Sequence, residues 1–215
     1  MLGLGNSIAA GAAIEGDFTP ESISNIALWL KSATNVESDS NFNATVSYDP
    51  VRTVAAGNIS DNDRVSAWRA AGSTTRDALQ TDGGDKPRWN NSETEIKFSN
   101  NAKHMVLDSE ITIPANTDFT VVVRFKALNM SASRALMGDS TNEFLSVQDS
   151  DTIRLKTNGT QTNFDGDTMA TDKYQTLILV RSDGSTGNIN LFMRGTDSGY
   201  FDGTATGTSF GDEAQ

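Results

Sequence analysis

The chain of 215 residues contains no cysteine and a single histidine, His104. The first absence removes disulfide cross-links, thiolate zinc sites and cysteine nucleophiles together. The second rules out any metal site built from several imidazoles and leaves a Ser/His/Asp relay only one residue to pass through. Long apolar runs are also missing: no stretch approaches the roughly 20 residues that a membrane-spanning helix needs. Positive charge is scarce, with 17 Lys and Arg against 28 Asp and Glu, for a formal net charge of −11. A field of that sign repels phosphate backbones, and no Lys/Arg cluster interrupts it, so nucleic acid is not an expected partner. The first basic residue is Lys31, so the opening "MLGLGNSIAAGAAIEG" lacks the positive segment that begins a secretory signal.

What is present has the texture of β-structure. A chain of this length buries roughly 70% of its unfolded surface on folding, enough for a core without cross-links. Residues 1–18 are rich in Gly and Ala, with glycines at 3, 5, 11 and 16, which predicts an extended arm instead of a helix. Residues 19–215 are expected to form one domain. Apolar alternation or short apolar runs predict strands at Ile26–Ser32, Arg64–Trp68, Glu95–Ser99, His104–Asp108, Phe119–Leu128 and Arg134–Asp139. The pattern continues at Glu143–Asp149, Thr152–Thr157, Tyr174–Asp183 and Asn188–Gly195. Asn158-Gly159 between two such runs is a strong hairpin signal. Spacing of roughly 8–12 residues with almost no helical period indicates an all-β sandwich or barrel.

Particular segments carry a resemblance. Leu28-Trp29-Leu30, then Val65-Ser66-Ala67-Trp68, a polar Gly/Ser/Thr loop and Pro87-Arg88-Trp89 follow one another in an order that resembles the concanavalin A-like lectin/glucanase jelly roll, in its laminin-G-like branch. Ile96-Lys97-Phe98 through His104–Leu107 is similar to the next strand pair, "DFTVVVRFKAL" to the long central strand, and "YQTLILVRSDGSTGNINLFMRGT" to the late hairpin. The resemblance spans about residues 24–195. It implies a jelly-roll β-sandwich of two antiparallel sheets, with Trp68 in or near the core and the polar loop on the surface. Separately, "MLGLGNSI" resembles the openings of structural proteins of marine T4-like phages that infect cyanobacteria.

The candidate chemistry is sparse. Glycosidases on the jelly-roll fold use a row of carboxylates on one strand. Here Glu93 and Glu95 would share a face, but Lys97 stands where the row would continue, so a solvated strand edge is the better reading. His104 is assigned a packing or edge role. Asp82-Gly83-Gly84-Asp85, Asp149-Ser150-Asp151 and Asp165-Gly166-Asp167 offer oxygen ligands suited to calcium, yet Asp/Gly pairs also make good turns, and no metal or cofactor is assigned. Trp89, Tyr200 and Phe201 are candidate glycan platforms on loops. After Gly195 no sustained β run appears, which predicts an incomplete sheet edge covered by subunit contacts.

These readings converge on a non-enzymatic accessory structural protein of a phage virion, assembled in the host cytoplasm. It is expected in several copies beside other virion proteins, as a capsid or neck decoration, a tail fibre or a baseplate part. Met1, Leu2, Leu4, Ile8 and Ile14 of the arm are the expected assembly contacts. The alternative is a glycan-binding module for host attachment, and a polysaccharide-degrading enzyme ranks third.

Overall fold

The computed structural model describes residues 27–28, 30, 36–38, 60–70, 76–99, 103–113, 117–138, 144–157, 160–166, 168–181, 189–195, 200–205 and 213–214. Within them every regular element is a strand and every pairing is antiparallel. The arm, with Met1, Leu2, Leu4, Ile8 and Ile14, lies outside the described residues, as does Trp29. The chain divides into two compact units, residues 1–109 and 110–215.

In the first unit a four-stranded sheet runs in the order β1 (Val36–Ser38), β2 (Val65–Trp68), β3 (Ala78–Leu79), β6 (Val106–Leu107). A separate hairpin pairs β4 (Arg88–Asn90) with β5 (Glu95–Lys97). The backbone of β4 is stitched to the segment before β2: Trp89 N donates to Asp63 O at 2.9 Å, and Trp89 O accepts from Asn62 N at 2.9 Å. Val65 N donates to Pro87 O at 2.9 Å. That pairing delivers the Trp89 indole onto Val65, where it is only 2% exposed. Trp68, Ile96 and Met105 pack partly buried against the same pair.

The polar stretch after Trp68 departs from the expected surface loop. It contains β3, and Asp77, Ala78, Gln80 and Lys86 are all buried. Buried polar groups need partners, and Asp77 is well supplied. Its Oδ2 meets Arg69 Nη1 at 2.9 Å, its Oδ1 accepts from Ala70 N at 2.7 Å, and its backbone N donates to Asp108 Oδ1 at 3.3 Å. A segment with few apolar side chains is thus held inside by an ion pair and main-chain bonds.

The second unit is β-sandwich-like. One sheet is the meander β9 (Arg134–Gly138), β10 (Phe144–Val147), β11 (Thr152–Thr157) and β12 (Thr160–Asp165). The other has the order β15 (Tyr200–Ala205), β14 (Ile189–Gly195), β13 (Tyr174–Arg181), β8 (Phe119–Lys126). A short pair joins β7 (Thr112–Ile113) to β16 (Glu213–Ala214). Both large sheets contribute one face to a single core. Leu145, Val147, Ile153, Leu155 and Phe164 come from the meander, and Leu177, Leu179, Ile189, Leu191 and Met193 from the other sheet. The alternation on β13 is complete, with Gln175, Leu177, Leu179 and Arg181 buried and the residues between them partly exposed. Arg181, 1% exposed, donates from Nε to Thr117 O at 2.8 Å and lies 5.1 Å over the Phe119 ring.

Two expectations meet the strands directly. The hairpin signalled by Asn158-Gly159 is seen in its flanks, where β11 and β12 pair from Thr152↔Asp165 to Thr157↔Thr160. The absence of a strand after Gly195 is corrected. Tyr200–Ala205 forms β15 and pairs with β14 over Ile189–Arg194, so backbone bonding to an apolar neighbour makes a strand where side-chain hydrophobicity gave none.

Two stability predictions follow from the buried tryptophan and the ion pair of the first unit. Replacing Trp89 by Ala should cost about 3–5 kcal/mol in denaturant unfolding, and more than the same change at the partly buried Trp68. Asp77→Ala should cost about 3–5 kcal/mol, because it strips the charged partner from a guanidinium held inside. Near-wild-type midpoints for either variant would show that these groups are not held as described.

Candidate functional site

The carboxylates considered for hydrolysis do not line up. Glu93 lies in the exposed turn of residues 91–94, where Thr94 takes a φ of 55°, so the strand alternation that would have set Glu93 beside Glu95 is broken. Glu95 is partly buried on β5, and its Oε1 accepts from Asn90 Nδ2 at 2.9 Å across the hairpin. Lys97 ends the strand, exposed. His104 is exposed, with its Nε2 3.0 Å from Gln80 Nε2. Because an amide nitrogen can only donate, this ring nitrogen accepts, which leaves the imidazole proton on Nδ1. The same amide reaches His104 O at 3.3 Å, tying the ring to buried Gln80.

The aromatic platforms are all on strands, not on the expected loops. Trp89 was expected exposed on a loop, but it sits on β4 at 2% exposure, and a sugar cannot stack on a buried ring face. Its indole Nε1 donates to Asn91 Oδ1 at 3.4 Å. Tyr200 and Phe201 are on β15, opposite Arg194 and Met193, not on a loop.

The acidic turns are explained by their own backbones. Asp82 Oδ1 accepts from Gly84 N at 2.7 Å, and Asp82 O accepts from Asp85 N at 3.1 Å. Lys103 Nζ donates to Gly84 O of the same turn. Asp149 Oδ1 accepts from Asp151 N at 3.1 Å. Thr152 Oγ1 lies 3.3 Å from Asp151 Oδ1 and 3.1 Å from Asp165 Oδ1. Asp167 lies outside the described residues. Among the described residues no group of three or more His, Cys, Asp or Glu side chains is arranged to hold a metal ion.

Asp149 and Asp151 shift each other's ionisation in opposite directions. A side-chain hydrogen bond with Asp151 holds Asp149 below the usual aspartate range. The same bond, together with repulsion from the Asp149 charge, pushes Asp151 above it. The pair is open to solvent, so its energetic weight is small.

The exposed apolar side chains give a different kind of site. On β8 the outward positions are Thr120, Val122 and Arg124, and Val122 is 62% exposed. Val122 stands directly opposite Ile178 on β13, and Ile178 directly opposite Phe192 on β14, itself 38% exposed. Three adjacent strands therefore carry one apolar row on the face turned away from the core, with partly exposed Val180 beside it. At the far end of the sheet Tyr174 is flanked by cations, with Arg124 4.8 Å and Lys126 5.3 Å from its ring centroid. Lys126 also meets Asp172 at 3.5 Å. Reasoning from sequence assigned no role to this row. The signal was there: "TVVVR" and "TLILV" stay apolar at both parities, whereas a strand with one solvated face alternates.

The acidic pair yields a pH prediction. Carboxyl NMR should show Asp149 titrating below the usual range and Asp151 above it. The raised group stabilises the fold at low pH and loses that contribution as pH rises through its folded value. The lowered group stabilises above its unfolded value and loses that as pH falls, so the two oppose each other. Asp151→Asn should keep Asp149 low, because the new amide still donates, while Asp151→Ala should return it toward the ordinary value. Indistinguishable titrations of the two carboxyls in the wild type would contradict the shared bond.

Comparison with known proteins gives no matching family, no matching curated protein and no matching solved structure.

Proposed function

We propose that this chain is an accessory structural protein of a bacteriophage virion, built on a concanavalin A-like jelly roll and acting by subunit assembly without turnover. The observation that carries the reading is the outward row Val122–Ile178–Phe192. Apolar side chains fill the centre of a sheet face where a free-standing sandwich would carry polar ones, and such patches characterise protein contact surfaces. The large excess of acidic residues favours solubility before assembly. The jelly roll is supported by the chain path in the second unit: it leaves one sheet after β8, lays down the meander β9–β12, and returns to place β13 beside β8. The resemblance of "MLGLGNSI" to phage structural proteins supports the particle context. Among the described residues no helix is long and apolar enough to cross a membrane.

The partners in this reading are other virion proteins, at a capsid, neck, tail-fibre or baseplate position, with assembly in the host cytoplasm. The glycan-binding alternative loses Trp89 as a platform, and no other observation favours it. Cryo-electron microscopy and mass spectrometry of purified particles should find the chain at fixed, repeated positions. Its absence from intact particles would overturn the reading. So would release of reducing sugar from host polysaccharide that disappears in a Glu95→Gln variant.

A further inference from the structure

We infer that Gln80 and His104 form a proton-operated latch, which holds the segment of residues 80–85 against residues 103–104 while the imidazole is neutral and releases it in acid. The inference goes beyond the assembly reading and does not depend on it. It starts from the Gln80 amide, whose oxygen and two N–H groups are all engaged. Its Oε1 accepts from Asp82 N at 3.0 Å. Its Nε2 directs one hydrogen to His104 Nε2 at 3.0 Å and the other to His104 O at 3.3 Å. Turning the amide over would set its nitrogen against the Asp82 N–H and its oxygen against the His104 carbonyl, so both ends fix its orientation. The ring nitrogen is then an acceptor, and the closed latch requires the neutral imidazole with its hydrogen on Nδ1.

Proton uptake disrupts this pattern at one atom. In that tautomer Nε2 is the ring position left to take a proton, and a proton there points one N–H at another. His104 is exposed, so solvent protons reach the ring, whereas Gln80 is buried and has little water to replace a lost partner. If the amide turns over to accept from the imidazolium, it gives up both Asp82 N and His104 O. If the ring swings away instead, a buried amide N–H is left stranded, which is costly. The proton and the closed contact compete for Nε2, and acid favours the open form.

Neighbouring bonds set what is released. His104 N donates to Asp85 O at 3.2 Å, and Lys103 Nζ donates to Gly84 O, so residues 103 and 104 clasp the same turn that the Gln80 amide braces from within. The charged groups on the segments that meet here are Asp82, Asp85 and Lys86 after Gln80, Lys103 beside the ring, and Arg64, whose Nη1 lies 2.9 Å from where a Cβ on Gly83 would stand. Two of these are carboxylates, so a test has to separate their protons from the ring's. His104→Gln does so, because a glutamine oxygen reaches about as far as Nε2, accepts a hydrogen bond and does not titrate.

The test is 15N NMR of the full chain at about pH 8 and about pH 5, the span in which histidine changes charge. At the higher pH the ring should show a protonated Nδ1 and a bare Nε2. At the lower pH, with the intrinsic pH dependence of exchange divided out, the backbone amides of Asp82 and His104 should exchange at least about fivefold faster, as loss of one ordinary hydrogen bond allows. In His104→Gln the corrected exchange should be the same at both pH values and close to that of the wild type at the higher one. A ring protonated on Nε2 at the higher pH would overturn the inference. So would wild-type exchange that ignores pH, or an equal acceleration in His104→Gln, which would assign the effect to the carboxylates. If the wild type unfolds altogether in acid, circular dichroism gives the midpoints: His104→Gln should survive to lower pH, and equal midpoints would also overturn the inference.

Discussion

Side chains on a strand point alternately to its two sides, and in the second unit nearly everything follows from how β13 uses that fact. Its inward set, Leu177 and Leu179 with Gln175 and Arg181 at the ends, meets core residues from the meander across the gap between the sheets. Burying these leucines is worth roughly 1.5–3 kcal/mol each, which fixes which parity faces inward. A one-residue slip of β13 would send Leu177 and Leu179 to solvent and bring Thr176, Ile178 and Val180 inside. With the parity of β13 fixed, its ladders to β8 and β14 fix theirs. The outward apolar row is therefore a consequence of the core's register, not an independent feature.

The first unit meets the same demand with different material. Val65 and Trp89 make a small apolar centre with Trp68, Ile96 and Met105 against it, and the unit also buries Ser66, Arg69, Asp77, Gln80 and Lys86. Such an interior holds only if its groups are paired, because a buried group without a partner costs about 1–3 kcal/mol or more. Asp77 answers by bonding a guanidinium, a backbone amide and, through its own N–H, Asp108. The polar texture of this stretch describes how it is held, not where it lies.

That contrast explains what could be read from the sequence. The strands at Phe119–Lys126, Tyr174–Arg181 and Ile189–Gly195 were legible because their own side chains carry the pattern. Asn158-Gly159 was legible because two-residue hairpins need φ values that those residues tolerate. β3 was not: Ala78-Leu79 is too short for a period, and it is a strand because β2 and β6 bond to it from both sides. β15 was hidden for a similar reason, since Gly203 and Asp202 weaken its pattern while β14 supplies the ladder. The burial of Trp89 depends on hydrogen bonds to residues 62–63, a pairing that no local window contains. Of the candidate site, the residue types were visible but the juxtaposition was not. Val122, Ile178 and Phe192 become neighbours only once three strands are in register.

The route of the chain between β8 and β13 carries a kinetic consequence. The strands of the meander are joined by short connections, so each can pair soon after it is made. β8 must wait for β13, because Phe119 finds its partner only at Arg181, after the whole meander has been laid down. Closing so long a loop is slow compared with forming hairpins. During synthesis β8 therefore leaves the ribosome well before β13, with Val121, Val122, Val123 and Phe125 uncovered. For that interval a long apolar strand stands as an unpaired edge, and the nascent protein depends on finishing quickly or on being held apart from its neighbours.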